Sequence, residues 1–313
     1  MSSTGENVGR AAVVVALTAN LAIATSKFVA FIFTGSSAML AEGVHSVADS
    51  GNQLLLMIGG KRSKRPATSE HPFGYGRDRY IYSFLVAVVL FTVGGLFALF
   101  EGFEKFRHPQ AITSPVWAIA TLGVAIILES LSFRTAVRIA KVDKGESSWV
   151  AYIKEAKAPE LPIVLLEDFG ALIGLLIALL AVVTSILFNA PVLDGLGTFV
   201  IGLLLLSVAI VLAIESKSLL VGEAASPIDT AKIIAALLAA SEVERVIHIR
   251  TLYLSPDEIL VAAKIAVRHD SSAKSVALAI DAAEVRVRSA VPLANIIYLE
   301  PDIDRAGEWS RDG

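Results

Sequence analysis

Over the first two thirds of this chain, apolar residues gather in long blocks instead of alternating with polar ones. A helix needs about 20 predominantly apolar residues to cross a hydrocarbon core ~30 Å thick. Six blocks reach that length, at roughly 11–34, 38–60, 80–100, 116–139, 161–187 and 192–214. The polar start, Met1 to Arg10, runs straight into the first block without a small-residue cleavage site, so it reads as an uncleaved span and not a signal peptide. After Glu215 the pattern changes. Pro227 to Glu242 has helical spacing, and Val243–Leu254 and Glu258–Val267 read as strands around the turn signal Ser255-Pro256-Asp257-Glu258. Ser272–Ala290 reads as a second helix and Asn295–Leu299 as a final β-rich run. The expected architecture is an all-α six-helix transmembrane domain over 1–214, then a cytoplasmic α+β domain over 215–313 with the ferredoxin-like order α-β-β-α-β.

Charge orients the spans. Lys61, Arg62, Lys64, Arg65, Arg77 and Arg79 crowd the link between spans 2 and 3, and Lys141, Lys144, Lys154 and Lys157 lie between spans 4 and 5. The link between spans 3 and 4 has only Lys105 and Arg107, and the short links 1–2 and 5–6 have neither lysine nor arginine. Positive charge marks the cytoplasmic side, so an even number of spans leaves both termini in the cytoplasm. The absence of an Arg-rich amphipathic start points to a multi-pass protein of a prokaryotic cell membrane. At 55% hydrophobic residues and a mean hydropathy of +0.67, the composition is too apolar for an ordinary soluble chain. A net charge of −3 gives a nucleic-acid partner no electrostatic support. The chain has no cysteine, so any metal must be held by His nitrogen and by carboxylate or amide oxygen.

An ionisable side chain inside a span costs roughly +2.5 to +3.5 kcal/mol even on the lenient insertion scale, so each needs a partner or a purpose. Span 2 holds His45 and Asp49, four residues apart and on one helical face. Span 5 holds Glu167 and Asp168, which as neighbours on a helix point about 100° apart. The two spans run in opposite directions, and at 1.5 Å per residue the depths of Asp49 and Asp168 differ by roughly 6 Å. The four groups can therefore meet near mid-membrane. One imidazole with two or three carboxylates suits Zn²⁺, Fe²⁺, Mn²⁺ or Co²⁺. The plainer reading of His45 and Asp49 is a hydrogen-bonded pair stitching helices together, and the acidic pair on span 5 weighs against it.

The stretches AEGVHSVADSGNQLLL on span 2, HPFGYGR in the following loop, EDFGALIG on span 5 and IIYLEP near the end resemble the cation diffusion facilitators over nearly the whole chain. The resemblance implies six spans, a cytoplasmic ferredoxin-like domain, a homodimer, and export of Zn²⁺ or a related divalent ion in exchange for protons. In that family the ligands come as two pairs, each four residues apart, on spans 2 and 5. His45 and Asp49 match the first pair and Asp168 the end of the second, while Val164 stands where the remaining ligand belongs and Glu167 lies beside Asp168. This LLED variant is similar to the branch that includes the mitochondrial zinc transporter of animals and bacterial relatives. A carboxylate in place of a His hardens the site and makes Mn²⁺ or Fe²⁺ more credible.

The resemblance also marks departures at two accessory sites. Some relatives carry a second metal site in the loop after span 2, but four residues beyond His71 stands Tyr75, so His71 is expected to be a surface or packing residue. Relatives can also bind a metal pair through their soluble domain. Here Lys264 and Tyr298 occupy the matching places and leave Glu300, with His248 one step out of register. No binuclear site is expected there, which makes the domain a dimerisation module. Elsewhere, Glu129 in span 4 is a proton group, an outer contributor or an interhelical hydrogen-bonding residue. Asn20 and Asn52 read as helix–helix glue with a lesser claim as ligands, and Lys27 as a snorkelling or acid-neutralising residue. Gly94, Gly95 and the small residues of span 6 read as close-packing positions.

The functional expectation is a secondary active transporter, not an enzyme, with no cofactor beyond the ion it carries. Membrane lipid, protons and a second copy of the chain are its other partners. Metal and protons compete for His45, Asp49 and Asp168 in an alternating-access cycle. An intramembrane metalloenzyme would put His and acid on helices too, but HExxH is absent. A non-transporting scaffold would explain the altered accessory sites, though not the acids in spans 2 and 5.

Overall fold

The computed structural model describes residues 21–302 apart from 34, 36, 113, 114 and 269. The polar start, the opening of the first apolar block with Asn20, and the chain end lie outside the described residues. The chain forms two compact units. One comprises the residues up to Arg62 and Asp78–Lys217, the other Ser63–Arg77 and everything from Ser218 on.

The first unit is helical. Its elements are α1 (Leu21–Phe33), α2 (Ser37–Arg62), α3 (Asp78–Val89), a π-helical segment (Leu90–Leu96), α4 (Phe97–Arg107), α5 (Pro115–Lys144), α6 (Trp149–Glu155), α7 (Glu160–Leu187) and α8 (Val192–Val221), the last running on past Lys217 into the second unit. Among the described residues, four helices are both long and apolar enough to cross a membrane: Asp78–Arg107, Pro115–Val142, Glu160–Leu187 and Val192–Val221. That count is smaller than the six spans expected, for local reasons. Only thirteen residues of α1 are described, and α2 interrupts its apolar run with Glu42, His45, Ser46, Asp49, Ser50, Asn52 and Gln53. The lipid-length helices carry large apolar side chains outward, among them Phe100, Trp117, Ile127 and Leu180, while Met39, Val86, Leu122, Ile163, Leu175, Ile201 and Leu205 pack inside.

With lipid outside, apolar burial gives helices little reason to associate, and close backbone approach takes its place. The π-helical segment and α4 meet α8 through glycines in an antiparallel register: Gly95 against Leu206, Leu99 against Gly202, Gly102 against Phe199, and Lys105 and Phe106 against Gly195. A Cβ on Gly102 would sit 2.4 Å from the Phe199 nitrogen, so nothing larger fits. Close packing at Gly95 agrees with expectation. The π-helical segment and the short α6 do not appear in the hydrophobic pattern. The latter opens on Ser148, which accepts from the Ala151 nitrogen at 3.1 Å, and buries Tyr152.

The second unit contains α9 (Pro227–Leu238), β1 (Val243–Ser255), β2 (Glu258–Val267), α10 (Ala273–Ala290) and β3 (Ile296–Asp302). The sheet order is β1-β2-β3, antiparallel then parallel. The two helices open on Ser226, followed by Pro227, and on Ser272, whose hydroxyls accept from Asp229 and Ser275 nitrogens. Alternate residues Ile259, Val261, Ala263 and Ile265 face a core shared with Ile233, Leu237, Ala283, Val287 and Ile297. The element order α-β-β-α-β matches the pattern. The last strand runs on to Asp302 because β2 offers it a parallel edge through Ala266.

The basic link between α2 and α3 belongs to this second unit. A Cβ on Gly76 would lie 2.7 Å from the Ser255 Cβ and 2.9 Å from the Leu254 oxygen, so the link packs against the β1–β2 turn. At its base, in the helical unit, Arg62 Nε donates to Asp78 Oδ2 at 2.9 Å, joining the last residue of α2 to the first of α3. The guanidinium's pKa is raised, chiefly by this hydrogen bond.

Candidate metal centre

The polar side chains of α2 gather on one stripe. Glu42, His45, Asp49 and Asn52 follow one another at steps of three, four and three, the spacing that keeps a helix face. His45 is 1% exposed, and its Nε2 lies 3.5 Å from Asp49 Oδ2, beyond a strong hydrogen bond. Both ring nitrogens are buried without a hydrogen-bond partner, as are Glu42 Oε1, Asp49 Oδ1 and Asn52 Oδ1. Buried polar atoms are nearly always satisfied. A run of open nitrogen and oxygen lone pairs on one helix face is therefore a place suited to a cation.

α7 supplies the opposing acids, and its two neighbours part as the 100° helical step requires. Glu167 is buried and turns to α2, where its Oε1 accepts from Asn52 Nδ2 at 2.6 Å. Asp168 is half-buried and accepts from Ser132 Oγ of α5 at 2.9 Å. Glu129, on α5, lies within Coulombic reach of both Asp168 and Asp49, and Asp49 within reach of Asp168, Lys27 and Glu42. The acids of three helices thus share one electrostatic neighbourhood inside an apolar bundle. Among the described residues no three His or carboxylate groups converge closely enough to enclose a metal ion. In this conformation His45 and Asp49 stand together, Glu167 is engaged by Asn52, and Asp168 by Ser132. Asn52 thus links α2 to α7 by one hydrogen bond.

Glu42 lies outside the candidates the sequence offered; Lys27, expected to snorkel or to neutralise an acid, pairs with it. Glu42, three residues before His45, is fully buried, and Lys27 of α1 meets it with Nζ at 3.1 Å from Oε2. The signal for Glu42 was its helical spacing from His45 and Asp49. The identity of Lys27's partner depends on how α1 and α2 rotate against each other, which no single helix encodes.

The remaining candidates fall in the second unit. His71 stacks on Tyr75 with ring centroids 4.6 Å apart, both side chains on the link that packs against the β1–β2 turn. Glu300 and Asp302 on β3 take the Lys264 ammonium at 3.2 and 2.9 Å, and these hydrogen bonds, Asp302 first, raise the lysine's pKa. A cation fixed in the chain already occupies that carboxylate pair.

Residues 13–221 match the family described as Cation efflux transmembrane domain. Over 224 residues, 71% of this chain, the sequence is 32% identical to the "Proton-coupled zinc antiporter SLC30A9, mitochondrial" of Xenopus laevis, and covers 40% of that protein. The Homo sapiens protein of the same name is 32% identical over 64% of this chain and 36% of its own length. "Metal tolerance protein C4" of Arabidopsis thaliana is 29% identical over 81% of this chain and 56% of its own. The chain thus spans about two fifths of the length of the first two relatives. The solved structure MamM-CTD 215-293 aligns at 17% identity and a TM-score of 0.24, covering 25% of this chain and 95% of its own.

Proposed function

Because the chain belongs to the cation diffusion facilitator family, we propose that it is a secondary active transporter that moves a divalent metal ion across a membrane in exchange for protons. The observation that carries this reading is His45. An imidazole with both nitrogens buried and open, 3.5 Å from a carboxylate inside an apolar bundle, has little structural purpose. It has an evident one as a ligand that a cation and a proton take in turn. Zn²⁺ is the first candidate, supported by the relatives named as zinc antiporters, with Mn²⁺, Fe²⁺ or Co²⁺ admitted by the carboxylate-rich donor set.

In this reading His45, Asp49 and Asp168 bind the ion, with Glu167 as a fourth donor once Asn52 releases it. The ion enters from the side of the basic α2–α3 link. The cycle is one of alternating access in which α2 and α7 draw together around the ion and then part on the other side. Protons arriving from that side take the His45 nitrogen and the carboxylates and expel the metal. Six spans, a homodimer built through a ferredoxin-like second unit, a cell-membrane location and cytoplasmic termini complete the proposal. Their support is the hydrophobic blocks, the α-β-β-α-β order and the positive charge on the 2–3 and 4–5 links.

The test is uptake into reconstituted vesicles under an imposed proton gradient, comparing Zn²⁺, Mn²⁺, Fe²⁺ and Co²⁺. Asp49→Ala and Asp168→Ala are each expected to abolish gradient-driven uptake while still folding. Normal transport in both would refute the site. Absence of uptake for all four ions in the wild type would favour the scaffold reading.

A further inference from the structure

The Lys27–Glu42 pair is more than a stitch between α1 and α2. Lys27 is 1% exposed, so it does not snorkel. Its ammonium is used up by α2: Nζ donates to Glu42 Oε2 at 3.1 Å, to the Glu42 carbonyl at 3.4 Å and to Ser46 Oγ at 2.7 Å. Three donors meet three acceptors, which is the capacity of an ammonium. Glu42 is only half engaged. Its Oε1 is buried and open, and it faces α7, where a Cβ on Gly174 would stand 2.8 Å away. One carboxylate oxygen is thus held from α1 while the other is presented to the helix that carries Glu167 and Asp168.

Glu42 continues the line of open donor atoms that runs through His45 and Asp49 to Asn52, ten residues or about 15 Å of helix at 1.5 Å per residue. It lies on the side of His45 away from the basic link. We propose that Glu42 is a further binding position for the transported divalent cation, next after His45 and Asp49 on its route, and that the Lys27 ammonium is a built-in cation occupying it between turnovers. This rests on the transport reading above. A compact ammonium on a flexible four-carbon stem can leave the carboxylate when a divalent ion arrives and return when it departs. Lys27 keeps a buried carboxylate from standing uncompensated, and it prevents the ion from being held too tightly. The ligand class is a divalent cation that accepts oxygen and imidazole donors.

The experiment uses the reconstituted full chain with Zn²⁺ and Mn²⁺, reading KM and kcat separately alongside melting temperature in detergent. Lys27→Met exposes Glu42 to the ion and is expected to lower KM about tenfold and to lower kcat with it, as release slows. Glu42→Gln leaves the ammonium uncompensated and raises KM, and the double variant returns KM to within about threefold of wild type. Lys27→Arg, which keeps the charge, retains the wild-type KM. Gly174→Ala pushes on Glu42 Oε1 without changing any charge and raises KM, which keeps the test decisive if a charge variant misfolds. An active wild type with unchanged KM in the folded variants, whatever their melting temperatures, overturns this inference alone. A wild type that moves neither ion brings down the transport reading and this inference with it.

Discussion

At the scale of single residues, the chemistry follows from which polar atoms are left open in an apolar bundle. Asn52 is the member of the α2 stripe whose amide donates across to α7, to Glu167 at 2.6 Å. Asn52→Leu would leave a buried carboxyl without that donor, at a cost of about 1–3 kcal/mol. Thermal unfolding in detergent is expected to show the loss, and an unchanged melting temperature would mean the hydrogen bond contributes nothing. His45, Asp49, Glu167 and Asp168 were all legible in the sequence, because an ionisable residue inside an apolar block announces itself by its cost. What the sequence did not resolve is which of the adjacent acids turns to α2. That depends on the rotation of α7, which places Glu167 against Asn52 and Asp168 against Ser132. Glu42 was legible only as spacing, and Lys27's partner not at all.

At the scale of elements, the helical unit is held by approach distances that glycine alone permits. Gly102→Val would drive a side chain into the Phe199 backbone of α8, and is expected to destabilise the protein by about 1–3 kcal/mol or to shift the helix pair apart. Gly123→Ala on α5, where an added Cβ meets nothing within 4 Å, is the matched control and should leave the melting temperature unchanged or slightly raised. The blocks located the helices within a few residues, yet α8 runs to Val221, beyond the apolar stretch that ends near 214. A helix has no reason to stop where its hydrophobicity does. Helical hydrogen bonds continue into polar sequence until a breaker such as Gly222, at φ 112°, ends them. In the sheet of the second unit, Lys264 bridges strands β2 and β3, and its pKa is raised by Asp302 and Glu300. A raised lysine contributes stability that is complete below the unfolded value of about 10.4 and is lost as pH climbs through the folded one. Melting curves between neutral and strongly alkaline pH should therefore keep this contribution past the ordinary lysine range, and Lys264→Met should remove that alkaline step.

At the scale of the molecule, the chain divides into two compact units, and its composition changes after Glu215, close to the boundary between Lys217 and Ser218. The assignment of the α2–α3 link was not legible in the sequence. A basic loop of fifteen residues between two membrane helices reads as surface, whereas Ser63–Arg77 belongs to the second unit, with Gly76 packed on Leu254 and Ser255. The backbone therefore passes between the units three times, after Arg62, after Arg77 and after Lys217. Arg62 and Asp78 clasp the end of α2 to the start of α3, so the fifteen-residue link leaves the helical unit and returns to it at one doorway, on the helix that carries Glu42, His45 and Asp49.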